Sequence, residues 1–398
     1  MKLRMPMLLG LLLAELFVVA STAETQSPET TIVVPNDFYG IMHTGYSSDS
    51  DQEYKLLNEL GAIWVQRDFS WNAIEPADDQ WKFESFDAYV DRANKEGKKV
   101  LGMLLYDVQW VHVDKRRSGP YVAVNEIGQF CQYVRETVRR YNGRHGHGKV
   151  DARCIWNEPN LADRFWRGTK EEFFALTKET AKTVRELDAQ EGTRTTLVGG
   201  AFNTLVMLDL GWVDGLFESG AMEQVDAIAF HPYMPSADGS AYIFRQFKAR
   251  AAKYGFADKI RVTEIGYPTA PSMNYFTEVD EARMPEMTVK TCALLAAEGA
   301  QKLFWYQLFD PERREAANSE DWFGLVWNRA GGWQKKGGYF GYALCARHLP
   351  GKTLVARKFP GAIFPMANCR PSISRAMRSR WASGATCLLC GTSVLIAM

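Results

Sequence analysis

Two glutamates stand out for where they fall. Glu158 closes the run Cys154-Ile155-Trp156-Asn157-Glu158-Pro159, and Glu264 sits in Arg261-Val262-Thr263-Glu264-Ile265-Gly266. Each follows a short apolar stretch, where partial burial makes a charge costly and lets a carboxyl hold a proton near neutral pH. One acid beside a proline is usually only a turn. Two acids facing each other are different: one can protonate a leaving oxygen while the other attacks carbon or activates water, as cleavage of an acetal requires. The question is whether the chain can bring them together.

The elements around them alternate with regularity. Strand-like runs are expected at 38–43, 62–67, 99–107, 152–158, 195–202, 225–233, 259–267 and 302–309. Helical segments separate them. Ser50 to Gly61 has a helix start and a glycine stop; Ile127, Phe130, Cys131, Val134, Val138 and Tyr141 recur at helical spacing; and Thr169 with Glu172 forms a capping box. A further helix is expected over 287–299 and a last one from Gly338. Eight strands joined by helical crossovers imply parallel pairing, and runs apolar on both faces imply strands covered on both sides. The expected fold is α/β, a (β/α)8 barrel. A doubly wound open sheet is the alternative, but no Gly-rich phosphate loop follows an early strand. In a barrel, chemistry sits at the carboxyl ends of the strands. Glu158 ends the fourth strand and Glu264 the seventh, so the two can face each other across the mouth.

Together, Ile155-Trp156-Asn157-Glu158-Pro159-Asn160 and Thr263-Glu264-Ile265-Gly266-Tyr267-Pro268 resemble the motifs of clan A glycoside hydrolases, retaining enzymes on (β/α)8 barrels. The likeness runs from about Tyr39 to Leu349 and is nearest to family 39 and its polysaccharide-cleaving relatives, with family 5 less close. It implies Glu158 as general acid/base and Glu264 as nucleophile, the first with a raised pKa and the second kept ionised. It implies that Asn157 hydrogen-bonds the sugar 2-hydroxyl, that Arg67 lies near the nucleophile, and that His231 and Tyr233 line the cleft within reach of it. Trp305 is expected to stack on sugar. Trp71, Tyr106 and Trp110 either extend a groove or pack. The implied reaction is double displacement on an O-glycosidic bond, with an open groove and endo action expected. An exo-acting β-xylosidase-like enzyme and a silent carbohydrate-binding barrel are the alternatives; a transglycosylase would share every residue.

Outside the barrel, Lys2 and Arg4 precede an apolar run ending in Ser21 and Ala23, the pattern of a secretory signal peptide. Export is expected, secreted or periplasmic, with residues 1–23 as leader, 24–350 as catalytic barrel and no membrane span retained. The formal charge is zero, from 47 basic and 47 acidic residues, yet no acid follows Asp321. The stretch 351–398 therefore reads as an atypical basic tail where relatives carry a small β-sandwich; a shift of reading frame would explain its composition, and a degenerate accessory β region or a natural basic extension binding an anionic polymer are the alternatives. Arg153 and Cys154 stand where many relatives have Trp-Glu, a change expected to alter the barrel interior. The seven cysteines form no disulfide framework, and Cys387-Leu-Leu-Cys390 lacks a second ligand pair for zinc. His145 and His147 fall before the fourth strand, away from the chemistry. No metal, cofactor or nucleic-acid partner is expected; the expected partner is a polysaccharide or oligosaccharide.

Overall fold

The computed structural model describes residues 30–47, 49–112, 122, 126–161, 164–270, 278–358, 387–390 and 394–397. The expected leader and most of the tail beyond Lys358 lie outside the described residues.

After β1 (Thr30–Val33), the chain alternates strand and helix: β2 (Tyr39–Ile41), α1 (Ser50–Leu60), β3 (Trp64–Ser70), a single turn α2 (Trp71–Ile74), α3 (Glu84–Lys95), β4 (Lys99–Leu105), α4 (Ile127–Arg140) and β5 (Ala152–Ile155). It continues with α5 (Lys170–Glu191), β6 (Thr196–Asn203), α6 (Gly211–Glu218), β7 (Ala227–His231), α7 (Ala237–Ala252), β8 (Ile260–Ile265), α8 (Met284–Ala297), β9 (Lys302–Trp305) and α9 (Gly337–His348). Strands β2 to β9 pair in parallel, and β9 returns to β2 to close the barrel. This is the (β/α)8 barrel expected from the sequence.

Local chemistry explains the element ends. Asp49 caps α1 by accepting from the Gln52 amide, and Gly61 ends it in the left-handed conformation. The Thr169–Glu172 capping box opens α5 with both of its hydrogen bonds made. Helix α8 starts earlier than expected, at Met284, because Pro285 suits a first helical turn.

Strand alternation sorts side chains into two layers. Trp64, Leu101, Met103, Cys154, Ala229 and Phe304 fill the barrel interior. Their neighbours Val65, Leu104, Ile155, Ile228 and Leu303 pack outward against the helices. Each such buried side chain contributes roughly 1.5–3 kcal/mol, so both faces of every strand must be apolar. The same alternation corrects one expectation. Cys154 faces the interior, but Arg153 points outward into the helix layer, where it is buried against the Phe69 ring and bonds the Thr137 carbonyl. Burial brings its pKa down to about 10.

The long β9–α9 connection is held by a buried ion pair. Lys336 Nζ lies 2.7 Å from Asp310, both side chains almost fully covered, and the Gly324 amide donates to the same carboxylate. Burial alone would neutralise each: it raises Asp310 and lowers Lys336.

The tail contributes more regular structure than its composition suggested. β10 (Thr353–Lys358) pairs with β1, and β11 (Cys387–Cys390) and β12 (Val394–Ala397) complete a four-stranded antiparallel sheet in the order β1-β10-β12-β11. The Cys387–Cys390 spacing thus falls within a strand. Short apolar runs that look too brief alone become strands when β1 offers an edge to pair with.

Lys336→Met leaves a buried carboxylate without its cation. A loss of about 3 kcal/mol is expected, read as a lowered denaturation midpoint; an unchanged midpoint would show that the pair does not anchor the loop.

Candidate active site

Glu158 is set by an unusual turn. Trp156 and Glu158 both have positive φ, 65° and 45°, which costs energy for residues with a Cβ. Hydrogen bonds hold the turn in place: the Trp156 amide donates to the Leu104 carbonyl, and the Glu158 amide donates to the Ala201 carbonyl at 2.8 Å. Asn160 clasps the Asn203 backbone through both its amide oxygen and its nitrogen. The Glu158 carboxyl is therefore fixed by bonds to β4 and β6 as well as by its own strand.

Glu264 is turned inward by a bulge. The β8–β9 register shifts between Val262 and Ile265, which both face the helix layer. The two residues between them, Thr263 and Glu264, then both point towards the axis, as bulges allow. Gly266 lets β8 and β9 approach closely at this end, since a Cβ there would lie 2.0 Å from the Tyr306 carbonyl oxygen.

These two devices bring the acids together. An oxygen of Glu158, an oxygen of Glu264 and a nitrogen of His231 all lie within 4.8 Å of one another. His231 Nδ1 is 2.8 Å from Glu158 Oε1 and 3.7 Å from Glu264 Oε2, and its Nε2 is 2.9 Å from Thr263 Oγ1. The Asn203 amide donates to Glu158 Oε1 at 2.9 Å, and the Tyr233 hydroxyl donates to Glu264 Oε1 at 2.8 Å. Three such groups could chelate a cation, but both ring nitrogens of His231 are already engaged in hydrogen bonds.

The electrostatics follow from crowding. Burial pushes the Glu264 carboxyl up to about 7; the nearby His231 pulls it down, the Glu158 charge pushes it up, and the Tyr233 hydroxyl favours its ionised form. For His231, burial would lower the pKa, but the carboxylates of Glu264 and Glu158 raise it overall. Burial likewise keeps the Tyr233 hydroxyl protonated, well above its usual range.

Some residues singled out in the sequence converge here and others do not. Glu158, Glu264, Asn157, His231 and Tyr233 share the mouth, and His231 bonds the partner acid Glu158 rather than Glu264. Asn157 Oδ1 is buried with no partner among the described residues, leaving a free acceptor beside the acids. Tyr106 joins them, its hydroxyl beside Asn157 and its ring against Trp156. Arg67 does not. Gln66 and Asp68 take the inward positions of β3, so Arg67 faces the helices, stacked on Tyr46, Phe86 and Tyr89 and donating to the Ser85 carbonyl. Trp305 is also displaced by alternation. It is fully buried in the outer layer between Tyr267 and Tyr342, too enclosed to stack on a ligand. Trp71 packs among Trp110, Phe130 and Tyr133 as core. At the far face, His145 meets Glu191 and His147 meets Asp91.

Four residues at the mouth went unread in the sequence. Asn203 and Thr263 are polar residues at strand ends, a signal that was present in the sequence. Tyr306, one residue past Trp305, is half-buried, with its ring 5.1 Å from His43 and from Phe323. Asp68 accepts from Gln66 and sits 4.0 Å from His43 Nε2.

With this geometry in view, the likenesses to known proteins agree. The model of glycosyl hydrolases family 39 matches residues 122–303, and that of a β-galactosidase family matches residues 43–102. A β-xylosidase of Caldicellulosiruptor saccharolyticus is 28% identical over 163 residues, 39% of this chain and 31% of that protein. The match therefore spans about a third of the relative's length. Among solved structures, a family 39 glycoside hydrolase from Bacteroides cellulosilyticus superposes with a TM-score of 0.66 at 20% identity, covering 81% of this chain and 68% of the other. A monomeric β-xylosidase from Caulobacter crescentus gives 0.63 at 17% identity, covering 82% and 72%. The chain thus resembles a clan A glycoside hydrolase of the family 39 type, and the structural likenesses share its barrel.

The placement of Trp305 has a direct test. Trp305→Ala should cost about 3–5 kcal/mol of stability, whereas Tyr306→Ala, at a half-open position, should cost clearly less in the same melting experiment. The reverse order would put Trp305 at the mouth.

Proposed function

We propose that this protein is a retaining β-glycoside hydrolase that cleaves O-glycosidic bonds of an oligosaccharide or polysaccharide by double displacement. One observation carries the reading: the Glu158 and Glu264 oxygens lie within 4.8 Å of each other across the mouth. Retaining enzymes hold their carboxyls about 5–5.5 Å apart, and inverting enzymes need roughly 6.5–9.5 Å to admit a water between them. The apolar leader supports an exported enzyme, and the β-xylosidase relative supports a β-linked pentose or hexose as glycone.

Each role has physical support. Glu264 attacks the anomeric carbon in its ionised form, which the Tyr233 hydroxyl stabilises. Glu158 protonates the departing oxygen, and His231 Nδ1 and the Asn203 amide fix its Oε1, so the other oxygen faces the bond. The glycosyl–Glu264 ester forms as the C–O bond to the leaving group breaks. Glu158, now ionised, then takes a proton from water as the water oxygen displaces Glu264. Asn157, with its unused buried acceptor, is placed to receive a sugar hydroxyl, a bond that strengthens as positive charge develops on the ring.

The deciding experiment is hydrolysis of an aryl β-glycoside followed by NMR from the first turnover. The β-anomer should appear first; initial α-product would sink the proposal. Glu158→Ala should slow cleavage of poor leaving groups by about 10²–10⁴-fold and spare kcat/KM for an activated aryl group, whose kcat should still fall because the second step loses its base, whereas Glu264→Ala should abolish both.

The Glu264 environment also predicts a pH-dependent stability. Between the usual carboxylate value and about 7 the folded state binds more protons than the unfolded one, so this residue's contribution falls as pH rises through that window. Glu264→Gln removes the cost. The variant should gain on the order of 2–3 kcal/mol over the wild type at pH 8, with the gain vanishing near pH 4. A pH-independent difference in melting would contradict it.

A further inference from the structure

We propose that Arg164 and Glu320 form a gate across the barrel mouth that closes the catalytic cleft into a pocket for chain ends. The inference rests on the glycosidase reading above and reverses the open groove expected from the sequence. Arg164 lies in the connection leaving β5 and Glu320 in the connection leaving β9. In the closed order β2 to β9, these are the fourth and eighth of eight strands, diametrically opposed. Yet Arg164 is 3.3 Å from Glu320. A direct ion pair between these loops joins connections from opposite strands at the mouth they surround, the β9–α9 connection reaching it past the β8 end, where the Thr269 amide donates to the Trp322 carbonyl.

Its position relative to the acids is consistent. The Glu320 charge raises the pKa of both Glu264 and Tyr306, and the Arg164 charge acts on Tyr306 in the opposite sense. The pair therefore stands near Glu264 and Tyr306, and Phe165 beside Arg164 stacks on Tyr106 of the cleft.

Both halves of the gate are tied to the barrel, the Arg164 side by Trp156 Nε1 donating to the Phe165 carbonyl and by the buried Trp166 ring. Glu320 rides on the β9–α9 connection, tied down by the Asp310–Lys336 pair and by Ser319, whose hydroxyl donates to Glu278. Arg164 stacks on Phe165, which in turn stacks on Tyr106 in the cleft. Both charged ends are substantially exposed, 57% and 42%, so the pair is weak and salt-sensitive. A weak pair suits a gate, because it must open for every substrate. Closed, it obstructs a chain running through.

The test compares the full-length wild type with Arg164→Gln and Glu320→Gln, none of whose changes touch the acids. β-1,4-Linked xylohexaose and glucohexaose are digested and the first products separated. The wild type should release monosaccharide and pentasaccharide. In the variants, internal cuts should rise relative to monosaccharide release by about fivefold, the factor an exposed ion pair can hold. Wild type in about 1 M salt should move the same way, since screening is then nearly complete. Identical product patterns in all four cases would overturn the gate.

If the wild type cleaves nothing, the glycosidase reading fails, and binding still tests the gate. Tryptophan fluorescence then follows the same hexaoses, free or methyl-capped at the non-reducing end, added to Glu264→Gln protein with and without the gate substitutions. The gate predicts that capped chains bind only after it is removed. Equal binding of capped and free chains with the gate intact overturns it, and no binding of either overturns both readings.

Discussion

Two carboxyl groups a few ångströms apart, with little water between them, cannot both ionise cheaply. That repulsion is the constraint around which the mouth of this barrel is arranged. Burial acts first and the Glu158 charge adds to it, holding the Glu264 carboxyl up to about 7. His231 stands between the two acids. It is fully buried, its Nδ1 shared with Glu158 and its Nε2 held by the Thr263 hydroxyl, so its ring cannot rotate away. Tyr233 on one acid and Asn203 on the other then bias where the charge rests. The environment pushes Glu264 up rather than leaving it freely ionised.

Holding like charges together requires a backbone that does not yield. The barrel provides it by hydrogen-bonding each acid's strand to neighbours on both sides, and it uses two irregularities to aim the side chains. The left-handed conformations at Trp156 and Glu158 and the bulge at Thr263-Glu264 both depart from ideal strand geometry within the same small region. Regular alternation continues below. Strain concentrated at one end of an otherwise regular scaffold is the pattern expected where function, rather than packing, set the residue choice.

The same contrast explains what the sequence disclosed. Eight strand runs, their order and the two acids were legible because burial on both faces writes long apolar signatures, and strand ends are defined by where those signatures stop. Arg67 and Trp305 were misplaced for one reason: a single residue of register decides whether a side chain meets the mouth or the helix layer. Alternation counted along β3 puts Gln66 and Asp68 inward, and along β9 it puts Phe304 and Tyr306 inward. At β8 counting would have failed, because the bulge sends two consecutive residues the same way. His231 could be placed at the cleft, but its choice of Glu158 over Glu264 depends on distances of a fraction of an ångström, and no pattern in the chain encodes those. The tail strands were invisible for another reason, since their sheet is founded on β10, whose partner β1 lies more than 300 residues away.

Specificity in such a barrel has to come from connections that the core does not dictate. The β9–α9 connection is the clearest case. Its Asp310–Lys336 pair is buried and carries a desolvation cost that a surface loop of no consequence would not need. That cost makes sense if the loop must stay in one place over the mouth. The β5–α5 connection opposite is held differently, by the Asn160–Asn203 clasp, by Trp156 Nε1 donating to the Phe165 carbonyl and by the buried Trp166 ring. The contact between the two connections, the Arg164–Glu320 pair, is by comparison exposed and weak. Because the acids owe their positions to β5, β6 and β8, opening that mouth leaves the distance between them unchanged.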